Sequence, residues 1–125
     1  MRRHICVLAA IGVMSVGARP AEAADAQAGQ GTFESFCAAC HSVARPAQTL
    51  QGPSLAGIVG RRAAALPGFS YSAAMKASGV VWTPANLDTY LANPKARVPG
   101  TLMTFRGVSD PIARANLVAY LAQQK

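Results

Sequence analysis

The pentapeptide Cys37-Ala38-Ala39-Cys40-His41 constrains this chain more than any other feature of its sequence. It is C-x-x-C-H, the pattern of covalent c-type haem attachment. The reason is geometric. Two thiols one helical turn apart can each form a thioether to a haem vinyl group, and His41, the next residue, then lies under the iron. Three plainer uses of the pair compete. A thioredoxin-like disulfide normally opens a helix behind a strand, whereas this pair closes a predicted helix. A zinc site needs further ligands, and the only other histidine is His4, at the extreme N-terminus. A structural disulfide is the third. Motif, export signal and context together favour haem.

The export signal is the leader. Met1-Arg2-Arg3-His4 is basic, residues 5–18 are apolar or small without charge, and Ala21-Glu22-Ala23 is an A-x-A cleavage pattern. This is the layout of a secretory signal peptide over residues 1–23. Fourteen helical residues reach about 21 Å, short of the hydrocarbon core of a bilayer. No retained anchor is therefore expected, and Cys6 leaves with the leader. Residues 24–125 form the expected mature domain, exported to the periplasm, where this kind of haem attachment occurs. Cleavage removes Arg2, Arg3, Arg19 and Glu22, so the formal charge falls from +7 to +5. A chain this short has a marginal core and gains from a bound group. Its cations are scattered and form no stripe, which argues against nucleic acid as a partner.

Residues 26–40 place Gly29, Phe33, Phe36, Cys37 and Cys40 at near-helical intervals, predicting a helix that ends at the cysteines. Residues 42–68 carry Pro46, Gly52, Pro53, Gly57, Gly60, Pro67 and Gly68 and read as loop. So long an irregular stretch needs something to pack against. A short helix is expected over 70–78, with Gly79 as its stop. Thr83-Pro84 opens the next helix, Leu87, Tyr90 and Leu91 form its buried face, and Asn93-Pro94 ends it. Residues 95–109 read as loop. Asp110-Pro111 then caps a last helix that buries Ala113, Leu117, Tyr120 and Leu121. No strand signal stands out, so the fold class is all-α.

A haem iron has two axial positions, and the one opposite His41 decides the chemistry. An open position means ligand binding or peroxide chemistry, and a filled one favours electron transfer. With no second histidine after the leader, the remaining soft donors are Met75 and Met103. Met75 falls in the short helix and suits core filling. Met103 follows a Pro99-Gly100 turn that can present it inward, although a lone loop methionine often serves only packing.

The chain resembles the class I c-type cytochromes, in their mitochondrial-like and photosynthetic-bacterial branch. The resemblance covers about residues 29–123. It rests on Gly29, Phe33, Cys37-Ala38-Ala39-Cys40-His41, Gly52-Pro53-Ser54-Leu55, Gly60-Arg61 and Pro67-Gly68-Phe69-Ser70-Tyr71. Trp82, Leu87-Asp88-Thr89-Tyr90-Leu91, Asn93-Pro94, Pro99-Gly100-Thr101-Leu102-Met103 and Leu117-Val118-Ala119-Tyr120-Leu121 complete it. It implies four to five short helices with long loops around one covalent haem c. It implies Met103 as sixth ligand and Pro53 as carbonyl acceptor for His41. Arg61, Tyr71 and Trp82 resemble the donors to the haem propionates, and Tyr90 and Thr101 the hydrogen-bonding residues beside the methionine. Gly29, Phe33 and Tyr120 resemble the contact between first and last helices.

Two positions depart from the family pattern. Leu102 stands where the family often has a lysine, and Met75 replaces a polar residue frequent in the short middle helix. The first weakens electrostatic docking. The second makes the haem pocket drier and favours the reduced state.

The expected function is a soluble, monomeric, non-enzymatic one-electron carrier with His41 and Met103 bound in both oxidation states. Its partners would be redox proteins docking at the haem edge, such as a membrane oxidoreductase complex, a terminal oxidase or a dehydrogenase. Lys76, Lys95, Arg97, Arg106 and Arg45 could surround that edge, with modest steering. The competing readings are a haem subunit of a periplasmic dehydrogenase or oxidase complex, and a sensor or peroxidase with an open iron site.

Overall fold

The computed structural model describes residues 22–125. Residues 1–21 of the expected leader lie outside the described residues. Five helices follow one another among them: α1 (Ala26–Phe36), α2 (Ala73–Ala77), α3 (Pro84–Ala92), α4 (Pro94–Arg97) and α5 (Pro111–Gln123). The only strand-like pairing described is a single bridge between Arg62 and Val81. The all-α expectation holds.

Each helix begins on a side-chain oxygen that takes up free backbone N–H groups. Asp25 accepts from Gln27 and Ala28 at the start of α1. Ser72 caps α2 through Met75 N–H, and Thr83 caps α3 through Asn86 N–H. Asp110 caps α5 through Ile112 N–H. Proline at the first helical position follows the cap in α3, α4 and α5, where its missing N–H costs nothing.

The first and last helices cross closely. Gly29 faces the main chain of α5, and a Cβ there would run into the carbonyl of Asn116 and lie 2.9 Å from Tyr120 Cβ. Just beyond, the Phe33 and Tyr120 rings pack with centroids 5.5 Å apart. Leu117 is fully buried, and Leu121 nearly so. They share one core with Phe33, Leu87, Leu91 and Val98. Burial of a side chain such as Leu117 contributes about 1.5–3 kcal/mol.

Three element boundaries differ from the sequence expectation. Helix α1 stops at Phe36 and the cysteines occupy a turn: the Phe33 carbonyl accepts from both Cys37 and Ala38 N–H, and the Cys37 carbonyl from both Cys40 and His41. Forked bonds of this kind break the regular helical repeat. Helix α2 is shorter than the predicted 70–78, because the Ser72 cap starts it at Ala73. Residues 94–97 form α4 instead of loop. Asn93 ends α3 in extended conformation and its side chain accepts from Ala96 N–H at 3.1 Å, so the residue that stops one helix starts the next.

Candidate functional site

Cys37 and Cys40 are not joined in a disulfide. Cys37 is buried, and burial, with a smaller contribution from Cys40, pushes its thiol up to about 11. A redox disulfide needs the opposite, an easily formed thiolate. The Cys40 thiol points to Gln51 Oε1 at 3.3 Å. Zinc is no better served, because the described residues contain no group of three or more His, Cys, Asp and Glu side chains suited to a metal ion.

His41 is held by the loop that follows it. Gly52 N–H donates to the Cys40 carbonyl at 2.7 Å, and Leu55 N–H to the Ser42 carbonyl at 2.8 Å. These bonds fold residues 51–55 across the pentapeptide. Gly52 then lies flat against the imidazole: a Cβ there would collide with Cε1 and stand 2.7 Å from Nδ1. The next carbonyl, Pro53, sits 2.8 Å from Nδ1. It can only accept, so Nδ1 carries the proton and Nε2 keeps its lone pair. Burial lowers the His41 pKa against the opposing effect of the Pro53 bond, which favours the neutral ring. A neutral imidazole with a fixed tautomer is what a metal ion requires.

Met103 is partly buried against the core. Three hydrogen bonds close a ring around it. Met103 N–H donates to Thr101 Oγ1 at 3.4 Å, Thr101 Oγ1 lies 3.2 Å from Tyr90 Oη, and Tyr90 Oη points to Met103 Sδ at 4.0 Å. With the Tyr90 proton directed at sulfur, the Thr101 hydroxyl donates to Tyr90 Oη. The tyrosine is buried in α3, and its ring packs on Trp82 with centroids 4.9 Å apart. Burial raises the Tyr90 pKa, partly offset by the Thr101 bond.

Arg61 directs two nitrogens to the main chain, to Ser54 O at 2.6 Å and Ala56 O at 3.2 Å. It thereby braces the segment that seats His41. Burial lowers its pKa, and nearby Tyr71 supports its charge. Tyr71 itself meets Phe69 edge-on at 4.8 Å. The Arg61 carbonyl accepts from Trp82 N–H at 2.9 Å, which ties this segment to the Trp82–Tyr90 pair. The structure therefore joins Tyr90, Thr101 and Met103 in one cluster and Cys37, Cys40, His41 and Pro53 in another. Arg61 and Trp82 lie between them along the chain of contacts.

Two residues outside the sequence expectation contribute. Gln51 receives the Cys40 thiol. Arg114 of α5 binds Asp88 of α3 at 2.7 Å and the Val108 carbonyl at 2.9 Å, anchoring the end of the methionine loop. No local pattern signals it, because its partners come from other parts of the chain.

The donor set fits a covalently anchored haem: two unpaired thiols, a neutral imidazole of fixed tautomer and a tethered thioether sulfur. Two cavities among the described residues lie elsewhere. One of about 730 Å³ lies between Asp25, Gln30 and Gln123, and one of about 390 Å³ between Lys95, Phe105 and Arg106. Neither is lined by His41 or Met103.

Comparison with known proteins gives one answer. The family model for cytochrome c matches residues 26–125. A cytochrome c of Guizotia abyssinica is 48% identical over 101 residues, 81% of this chain and 91% of that protein. A cytochrome c2 of Rhodomicrobium vannielii is 45% identical over 118 residues, 94% of each. Among solved structures, cytochrome cH from Methylobacterium extorquens superposes with a TM-score of 0.74 at 42% identity, covering 79% of this chain and 98% of that one.

Proposed function

The chain belongs to the cytochrome c family, and on that premise we propose that it is a soluble one-electron carrier whose haem c is held by Cys37, Cys40, His41 and Met103. The haem supplies one-electron exchange between Fe(III) and Fe(II), with a potential raised by thioether ligation and burial. Everything else is the work of the chain. Cys37 and Cys40 provide the thioether anchors. Pro53 holds the proton on His41 Nδ1, and Gly52 lets the loop approach the ring closely enough to do so. Tyr90 and Thr101 hold Met103 by its main chain and orient its sulfur. Arg61, Tyr71 and Trp82 would serve the propionates, Arg61 while also bracing Ser54.

With His41 and Met103 both holding the iron, the haem would be kept by the same two residues in either oxidation state, little reorganisation would accompany transfer, and no site would be left for a reactant. The single observation that carries this reading is the 2.8 Å approach of Pro53 O to His41 Nδ1. It fixes the proton on Nδ1 and leaves the Nε2 lone pair free to bind iron.

In this reading residues 1–23 are a cleaved leader, residues 24–125 are the working domain in the periplasm, and the partners are redox proteins. No described helix is long and apolar enough to cross a membrane. The test is a visible spectrum of the exported protein, oxidised and then reduced, with the mass of the polypeptide. Expected are c-type haem bands, a sulfur-to-iron band in the far red, an N-terminus near Ala24 and no shift when carbon monoxide is added to the reduced form. A carbon monoxide shift at neutral pH would instead favour an open-site sensor or peroxidase.

A further inference from the structure

The loop that seats His41 is tied to a distant part of the chain. Gly57 N–H donates to the Gln124 carbonyl, and Arg45 Nε donates to the Lys125 carbonyl at 2.8 Å. Both acceptors follow α5, and Arg45 and Lys125 stand 80 residues apart in sequence. The Arg45 guanidinium lies against Gly57, where a new Cβ would be 3.2 Å from Nη2. Gly57 has a φ of +69°, a backbone turn that residues with a side chain resist. The two bonds form one clasp between the loop and the residues after α5.

The clasp reaches His41 through the main chain. Arg45 is exposed and lies four residues beyond His41, and Gly57 lies four residues beyond Pro53. These two stretches are joined where Leu55 N–H donates to the Ser42 carbonyl at 2.8 Å. Helix α5 is itself fixed on α1, which leads into the cysteine turn: Gly29 packs against Asn116, and Asp25 N–H donates to Asn116 Oδ1 at 2.7 Å. Cysteine turn, loop, α5 and α1 therefore close into a ring, and the clasp is its exposed link.

We infer that Arg45 is a positioning residue for His41: by clasping the loop to the residues after α5, it keeps the Pro53 carbonyl within reach of the Nδ1 proton and so helps set the donor strength of the imidazole. The ligand role of His41 in this inference rests on the carrier reading. A hydrogen bond from Nδ1–H makes the ring a stronger donor, which favours oxidised iron. Loosening the clasp should therefore raise the midpoint potential. Loss of a nearby positive charge acts the other way, because a cation favours the reduced form. The sign of the shift separates the two.

The test compares the exported holoprotein with Arg45→Ala, Arg45→Lys and Gly57→Ala. Amide exchange, the His41 Nδ1–H resonance of the reduced form and the midpoint potential are read on each. In Arg45→Ala, exchange at Gly57, Leu55 and Gly52 N–H should quicken about two- to tenfold, the range of one hydrogen bond. Exchange at Val108 N–H, bonded to the Leu91 carbonyl, should stay as in the parent. The Nδ1–H resonance should move upfield and the potential should rise at about 1 M sodium chloride, where the screening length is about 3 Å. A lysine amine sits one atom further along its side chain than arginine Nε, so Arg45→Lys should restore all three. Gly57→Ala strains the other bond of the clasp with no change of charge and should move the potential in the same direction as Arg45→Ala.

Quicker exchange with an unmoved resonance and potential would make the clasp a structural tie only and overturn the inference. A fall in potential confined to Arg45→Ala would overturn it in favour of a lost charge, and unchanged exchange in Arg45→Ala would remove the clasp itself. A parent protein without the sulfur-to-iron band would sink the carrier reading, while exchange and the Nδ1–H resonance would still decide whether Arg45 positions the ring.

Discussion

The Pro53 carbonyl lies 2.8 Å from His41 Nδ1, and it gets there because the residue before it, Gly52, has no side chain. Gly52→Ala would push a methyl group against the ring, so the imidazole must tilt or the loop must retreat. Overpacking of this kind costs about 1–3 kcal/mol. Denaturant melts of the holoprotein should show that loss, together with changed His41 ring resonances. Gly31→Ala is the control: it lies in α1 with nothing within 4 Å of a new Cβ, and it should stabilise by about 0.5–1 kcal/mol.

Met103→Ala should abolish the far-red sulfur-to-iron band, lower the midpoint potential and open the reduced protein to carbon monoxide. Met75→Ala should leave all three nearly as they are. Both methionines pack partly buried against the core, but only Met103 has Tyr90 directed at its sulfur. A band that survives Met103→Ala would remove this residue as a ligand.

Helix starts are legible in the sequence because their causes are local. Thr83-Pro84 and Asp110-Pro111 each place an accepting oxygen and a proline within two residues, and α3 and α5 begin there. Asn93-Pro94 is legible only in half. It ends α3 as expected, yet the same signal also starts α4, since a proline that cannot continue one helix is well suited to open another. The cysteine turn escapes a periodicity argument for a related reason: spacing predicts side-chain direction and says nothing of forked bonds at the Phe33 carbonyl. His41, Cys37 and Cys40 could be read from one pentapeptide. The gathering of Tyr90, Thr101 and Met103 came through family resemblance, because no local pattern joins a helix to a loop eleven residues on.

Tyr90 makes stability depend on pH at the alkaline end. Burial raises its pKa above the ordinary value of 10.0, so the folded state holds the phenol proton more firmly than the unfolded chain. Its contribution is complete below about pH 10 and is lost as pH rises through the higher folded value. Stability measured by denaturant should therefore fall above that pH. Tyr90→Phe should flatten this fall while lowering stability near neutrality, since Thr101 Oγ1 loses its partner. An unchanged alkaline slope in the variant would show that another group titrates.

Arg114 joins three parts of the chain: α5, α3 and the end of the loop that carries Met103. Its guanidinium, on a side chain only 13% exposed, binds Asp88 of α3 and the carbonyls of Val108 and Ser109 where the loop enters α5. Arg114→Met keeps the aliphatic stem but leaves the Asp88 carboxylate and both carbonyls to water. Hydrogen bonds to charged groups are worth about 1.5–3 kcal/mol, and a loss in that range is expected. Asp88→Asn should cost less, because the two carbonyl bonds survive and Asp88 is 42% exposed. The difference between the two variants isolates the anchoring of the loop. Hydrogen exchange at Val108 N–H, which donates to the Leu91 carbonyl at 2.8 Å, should quicken in Arg114→Met and stay slow in Asp88→Asn. Equal exchange in both would assign the anchoring to the ion pair instead of the carbonyl bonds.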